Sequence, residues 1–180
     1  MSLSQRHRNP NPKPVSFSLS TLAQTIETET PEVVFALLMG SSAGERGSAG
    51  DYRAADICTV AAHSDLDIAV YLGAPEAGDA PEANAPASAN TPPELRAELD
   101  TLLALEAVCE RVVPGVRADI GILNSAGVVY RYESLKGRLF VNRDPDTYAG
   151  FFSLTCRMYE EQMIHFERQL RYRREAAEAT

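Results

Sequence analysis

The side chains best suited to chemistry in this chain are two aspartates spaced by one residue, Asp65 and Asp67, in the run His63-Ser64-Asp65-Leu66-Asp67-Ile68-Ala69-Val70. On a strand, side chains two apart share a face with Cα atoms about 6–7 Å apart, so both carboxylates can grip one divalent cation. Upstream, Met39-Gly40-Ser41-Ser42-Ala43-Gly44 closes an apolar run with a Gly-Ser turn. Backbone N–H groups and hydroxyls at Gly40, Ser41 and Ser42 suit phosphate oxygens. Downstream, Asp119 sits in Arg117-Ala118-Asp119-Ile120-Gly121-Ile122-Leu123. An aspartate among apolar strand residues is costly to bury unless a metal ion or a hydroxyl proton compensates it. Together these residues describe a site for a nucleoside triphosphate and Mg²⁺, with in-line attack of a hydroxyl on phosphorus. The third carboxylate would help hold the metal and deprotonate the attacking group.

Each feature alone has an ordinary explanation. Asp-x-Asp pairs open strands as solvated turn residues, Gly-Ser loops are common connectors, and an aspartate at a strand end is usually a surface residue. The conjunction in this order sets the chain apart. His63, Lys136 and Arg46 are charged or polar enough to meet phosphate or metal, and each also reads as a solvated loop residue. The arginines 168, 171, 173 and 174 could dock an acidic partner or simply complement a helix C-terminus. Tyr159, Phe166 and Tyr172 read as core or interface residues ahead of an adenine platform.

The elements that must position these groups follow from hydrophobic period and breakers. Leu19, Leu22, Ala23 and Ile26 fall at helical spacing after a Ser/Thr cap, and Pro31 ends that helix. Residues 33–39 are a continuous apolar run that predicts a buried strand, 67–72 a second, 117–123 a third and 138–142 a fourth. Residues 93–113 predict a long amphipathic helix stopped by Pro114-Gly115, 128–135 a short helix, and 145–174 a last long helix. The expected fold class is α/β (α+β), a small mixed β-sheet carrying the three aspartates with flanking helices, placed against one side.

A chain of 180 residues suits one domain. Residues 1–16 are polar and proline-broken and predict a disordered leader. Residues 17–175 form the domain, with an Ala/Pro/Glu-rich mobile loop over 73–92, and 176–180 form a tail. The net charge of −8 argues against a basic surface for direct nucleic-acid binding and leaves a small nucleotide or a protein as ligand. Cys58, Cys109 and Cys156 form no close pair and read as reduced thiols of a cytoplasmic protein. The longest apolar run is too short to span a membrane, and no signal-peptide core is present.

Gly40-Ser41, Asp65-x-Asp67 and Asp119, in this order, resemble the DNA polymerase beta-like nucleotidyltransferase superfamily. The small size resembles its minimal nucleotidyltransferase (MNT) branch. The run 116–124 (VRADIGILN) is similar to the third-aspartate strand of the MntA-type adenylyltransferase antitoxins, and 135–144 (LKGRLFVNRD) to their following segment. The resemblance spans roughly residues 18–175 and implies a polymerase-beta-like fold. It also implies Mg²⁺-dependent transfer of AMP from ATP to a tyrosine of a cognate HEPN-domain RNase toxin, the partner in a hetero-oligomeric complex. Carried onto this chain, Gly40, Ser41 and Ser42 would bind the nucleotide, Asp65, Asp67 and Asp119 would bind metal, and Asp119 would be the third catalytic carboxylate. Gly40 stands 25 residues before Asp65, about twice the family spacing, so the excess is expected to loop out between about 47 and 62. Three other functions fit the residues: an aminoglycoside-type small-molecule nucleotidyltransferase, an antitoxin that masks its toxin without catalysis, and a regulatory nucleotide-binding module.

Overall fold

The computed structural model describes residues 12–43, 56–73 and 93–178. Helix α1 (Leu19–Glu29) starts where Ser18 turns extended and its hydroxyl accepts the Thr21 N–H. It buries Leu19, Leu22 and Ile26, the spacing expected of one helical stripe. Strand β1 (Val15–Ser18) precedes it, so the chain is ordered before the end of the expected leader, and residues 1–11 lie outside the described residues. Strand β2 (Val33–Leu38) leads into a 3₁₀ turn over Gly40–Ala43.

Strand β3 (Ile57–Val60) corrects the expectation of a loop over 47–62. It pairs antiparallel with β1 through Val15–Val60 and Phe17–Cys58, because Ile-Cys-Thr-Val alternates and buries Cys58 and Val60 on one face. Asp56 anchors this ribbon to α1. Its carboxylate accepts the Ser18 hydroxyl at 2.7 Å and the Ser20 N–H at 2.8 Å, which, with the serine side chains foremost, holds it below the usual carboxylate range. The remainder of the expected insertion, 44–55 and with it Arg46, and most of the expected loop, 74–92, lie outside the described residues.

Strand β4 (Leu66–Leu72), helix α2 (Pro93–Val112), strand β5 (Ala118–Ile122), helix α3 (Val128–Ser134), strand β6 (Arg138–Asn142) and helix α4 (Pro145–Glu178) complete the chain. The main sheet has four strands in the order β5-β4-β2-β6. Among the described residues only the β4–β5 pair is parallel, and α2 lies in the crossover that parallel pairing requires. Helix α4 runs past the expected tail boundary because Glu175-Ala176-Ala177-Glu178 contains no breaker.

Helices cover both faces of the sheet, where the sequence suggested one. Leu22 and Ile26 of α1 and Leu105, Val108 and Cys109 of α2 pack with Leu66, Ile68 and Val70 in the larger core. On the opposite face Phe35, Leu37, Ala69 and Leu123 pack with Phe151 of α4. Strands 33–38 and 66–72 are apolar on both sides apart from Asp67, the pattern of a doubly covered sheet. Burial pushes the Cys109 thiol up to about 12, with the Glu106 charge adding to it, so this cysteine is a packing group. No described helix is long and apolar enough to cross a membrane.

Phe35 is the joint between sheet and α4. It is fully buried, stacks on Tyr71 at 4.9 Å, and meets Tyr148 and Phe151 at 5.1 and 5.3 Å. Phe35→Ala is expected to cost about 3–5 kcal/mol of unfolding free energy in a denaturant titration. A loss below about 1 kcal/mol would mean that α4 does not depend on this contact.

Candidate functional site

Parallel pairing of β4 with β5 sets Asp67 directly beside Asp119. Strand alternation puts Asp67, Ala69 and Tyr71 on the sheet face away from α1 and α2, and Asp119, Gly121 and Leu123 continue that face on β5. Asp65 lies just before β4, close enough for its charge to act on the Asp67 carboxyl. Asp67 and Asp65 are half-buried, whereas Asp119 is exposed on the edge strand. A cleft of about 410 Å³ runs between α2 and this open edge, and Glu106, Glu110, Arg117 and Asp119 are among its lining residues.

The Gly-Ser turn reaches the same place despite the long spacing. The Met39 N–H donates to the Asp67 carbonyl at 2.8 Å, and the chain then turns at Gly40 with φ +63°. A Cβ on Gly40 would stand 2.5 Å from Asp67 Oδ2, so glycine is required both for the backbone angle and for the approach of the carboxylate. Ser41 is exposed beside it. Ser42 is buried, and its hydroxyl donates to the Met39 carbonyl at 3.0 Å, which closes the turn.

Burial foremost, then the charges of Asp119 and Asp65, holds the Asp67 carboxyl above the usual carboxylate range. The folded chain therefore binds this proton more tightly than the unfolded chain. Ionisation costs nothing below the unfolded pKa and removes stability as pH rises through the folded pKa.

Among the described residues, no three His, Cys, Asp or Glu side chains converge into a ready-made metal cage. Mg²⁺ does not need one, because it usually binds through one or two carboxylates together with substrate phosphates and water. The Asp67–Asp119 pair, with the charge of Asp65 behind it and a glycine turn against it, fits that donor set.

Two residues that sequence reasoning did not single out hold the site's frame. Asn124 accepts the Leu72 N–H and donates to the Leu72 carbonyl, both at 2.8 Å, locking the ends of β4 and β5 together. Arg131 donates from Nε to the Leu123 carbonyl at 2.9 Å and from a terminal nitrogen to the Asn124 carbonyl, which ties α3 to the end of β5. Tyr130, on the same helix, lies against Gly121 so closely that a Cβ there would stand 2.7 Å from the ring carbon bearing the hydroxyl. The signal for Tyr130 was the glycine, since an isolated glycine inside a strand marks a close approach. Other expected contacts lie elsewhere. Lys136 pairs with Glu133 and sits 5.2 Å over the Tyr132 ring, Tyr132 stacks on Tyr159 at 3.8 Å, and Phe166 and Tyr172 are exposed on α4. His63 is exposed with a positive φ in the turn before Asp65.

No family model matches the chain, and no curated protein matches it. Among solved structures it is similar to a chain of a toxin–antitoxin complex with AMP-PNP, at 18% identity over 84% of this chain and 93% of that one, TM-score 0.48. It is similar also to a chain from tri-AMPylated Shewanella oneidensis HEPN toxin in complex with MNT antitoxin, at 17% identity over 84% and 90%, TM-score 0.46. A third likeness is to the toxin–antitoxin MntA-HepT, at 17% identity over 84% and 91%, TM-score 0.45.

Two substitutions check this geometry. Gly40→Ala is expected to cost about 1–2 kcal/mol from the left-handed backbone alone, read by denaturant titration, and to weaken Mg²⁺·ATP binding by displacing the Asp67 carboxylate. Unchanged binding would contradict the contact. Asp67→Asn should raise the thermal midpoint of the metal-free chain at neutral pH, with the gain shrinking as pH falls below the folded Asp67 pKa. It should also abolish the stabilisation that Mg²⁺ and a non-hydrolysable triphosphate confer. A lower midpoint at every pH would mean that the carboxylate stabilises the fold.

Proposed function

We propose that this chain is a Mg²⁺-dependent adenylyltransferase that moves AMP from ATP onto a tyrosine of a partner protein, a HEPN-domain RNase toxin in the cytoplasm, and acts as its antitoxin. The observation that carries the reading is the meeting of the Gly40 turn with Asp67, itself side by side with Asp119. The order and identity of these residues resemble the polymerase-beta-like pattern, and the choice of ATP, tyrosine and toxin rests on the resemblance of residues 116–124 and 135–144 to the MntA-type antitoxins.

The chain's own residues divide the work. Gly40 and Ser41 offer an exposed backbone and hydroxyl to the triphosphate, while Ser42 keeps the turn closed. Asp67 and Asp119 would hold Mg²⁺, with Asp65 closing on it once the phosphates are bound, and the ion would neutralise phosphate charge and stabilise the charge that develops at phosphorus. Asp119, exposed on the edge strand, would take the proton of an incoming hydroxyl.

A protein acceptor is supported by α4. This helix has 34 residues, about 50 Å, and beyond its contact with the sheet it exposes Met158, Ile164, Phe166, Leu170 and Tyr172 beside several arginines. Exposed apolar side chains recurring along one helix mark an interaction surface, which a small aminoglycoside-like substrate does not need. The same surface favours a second reading, masking of the toxin without transfer.

Incubation of the purified chain with Mg²⁺, α-labelled ATP and the helical product of the neighbouring gene tests the proposal. Label should appear on a tyrosine of the partner and fall by about two orders of magnitude or more in Asp65→Asn/Asp67→Asn. Co-purification with no label would favour masking. Neither label nor complex would reject both readings and direct attention to small hydroxylated substrates.

A further inference from the structure

Tyr130 brings a hydroxyl into the carboxylate site from within the chain. Its ring rests on Gly121, two residues beyond Asp119 on the same face of β5, and the missing glycine side chain is what admits it. The approach is held from three sides. Arg131 fastens the helix to the Leu123 and Asn124 carbonyls, Asn124 fastens β5 to Leu72, and the Ser134 hydroxyl donates to the Tyr130 carbonyl at 2.7 Å. The residue is nonetheless 40% exposed. The other tyrosine of α3, Tyr132, turns away to stack on Tyr159 of α4.

Resting on the transferase reading above, we propose that Tyr130 is an acceptor in its own right, a self-modification site at which the chain nucleotidylates its own phenol. The phenolic oxygen attacks the α-phosphorus of the nucleoside triphosphate, a new O–P bond forms, and the bond from the α-phosphorus to the bridging oxygen breaks. Pyrophosphate leaves, and the phenolic proton passes to the Asp119 carboxylate. The product is a phosphodiester that keeps a nucleoside monophosphate beside Asp119, where an external hydroxyl would have to enter. Self-modification therefore brakes transfer to any other acceptor.

Cleavage after arginine isolates residues 118–131, a peptide whose single tyrosine is Tyr130. The full chain is incubated alone with Mg²⁺ and the four ribonucleoside triphosphates, then mapped by mass spectrometry. The expected result is a gain of one nucleoside monophosphate on Tyr130 in that peptide, absent in Tyr130→Phe and Asp119→Asn and retained in Tyr132→Phe. A gain on a different residue, or none, overturns the proposal. A parallel reaction containing the partner separates the two readings. Label on the partner with Tyr130 unmodified rejects self-modification and leaves the transferase standing, whereas no label on either rejects both. Terbium luminescence gives a readout independent of turnover. With Tb³⁺ at the carboxylates, emission excited through tyrosine should lose most of its intensity in Tyr130→Phe and little in Tyr132→Phe. Undiminished emission from Tyr130→Phe would remove the phenol from the site.

Discussion

The pairing of β4 with β5 forces two carboxylates together that would separate if they were free to do so. Asp67 and Asp119 are register partners in a parallel ladder, so they cannot drift apart without breaking the backbone hydrogen bonds of the sheet's edge. Holding them there falls to the opposite face, where Leu66, Ile68 and Val70 sink into the large core with α1 and α2. The Asn124 clamp on Leu72 closes the far end. Hydrophobic burial on one side of the sheet thus holds the carboxylates together on the other, where burial of Asp67 foremost, and then the charges of Asp119 and Asp65, raise its pKa. A divalent cation bound there, as proposed, would turn the same arrangement into attraction.

The two faces of the sheet differ in what they carry. The larger core joins α1, α2 and the β1–β3 ribbon to the sheet and carries none of the three aspartates. The second face is anchored at Phe35, Ala69 and Phe151, while its β5 end is left to Asp119, Gly121 and the overlying Tyr130. Helix α4 starts on this face and continues well past it, carrying exposed apolar and basic residues away from the sheet. The Phe35 cluster on the sheet and the exposed apolar and basic stretch of α4 are therefore joined by one continuous helix.

Much of this arrangement was legible in local pattern. Ser18 capping, the apolar stripe of α1, the breaker pair Pro114-Gly115 after α2 and the apolar runs of β2 and β4 each speak for themselves over a few residues. The order Gly40, Asp67, Asp119 could be read too, because strand period decides which face a side chain takes. Strand β3 was missed because four alternating residues after a glycine-rich stretch read as part of a loop until β1 supplies their partner. The second helical layer was missed for a related reason: a strand apolar on both sides shows that it is covered, not by which helix. Tyr130 depended on the packing of α3 over β5, a contact between elements that only Gly121 hinted at. What sequence withheld was in each case a long-range pairing.

The most direct test of the central claim is a crystal structure of the chain with Mg²⁺ and a triphosphate that cannot be cleaved between its α- and β-phosphates. The triphosphate is expected on the Gly40-Ser41 turn, with the metal held by Asp67 and its neighbouring carboxylates and the α-phosphorus facing Asp119. A triphosphate bound away from β4 and β5, or held at the turn with no metal at the aspartates, would contradict it.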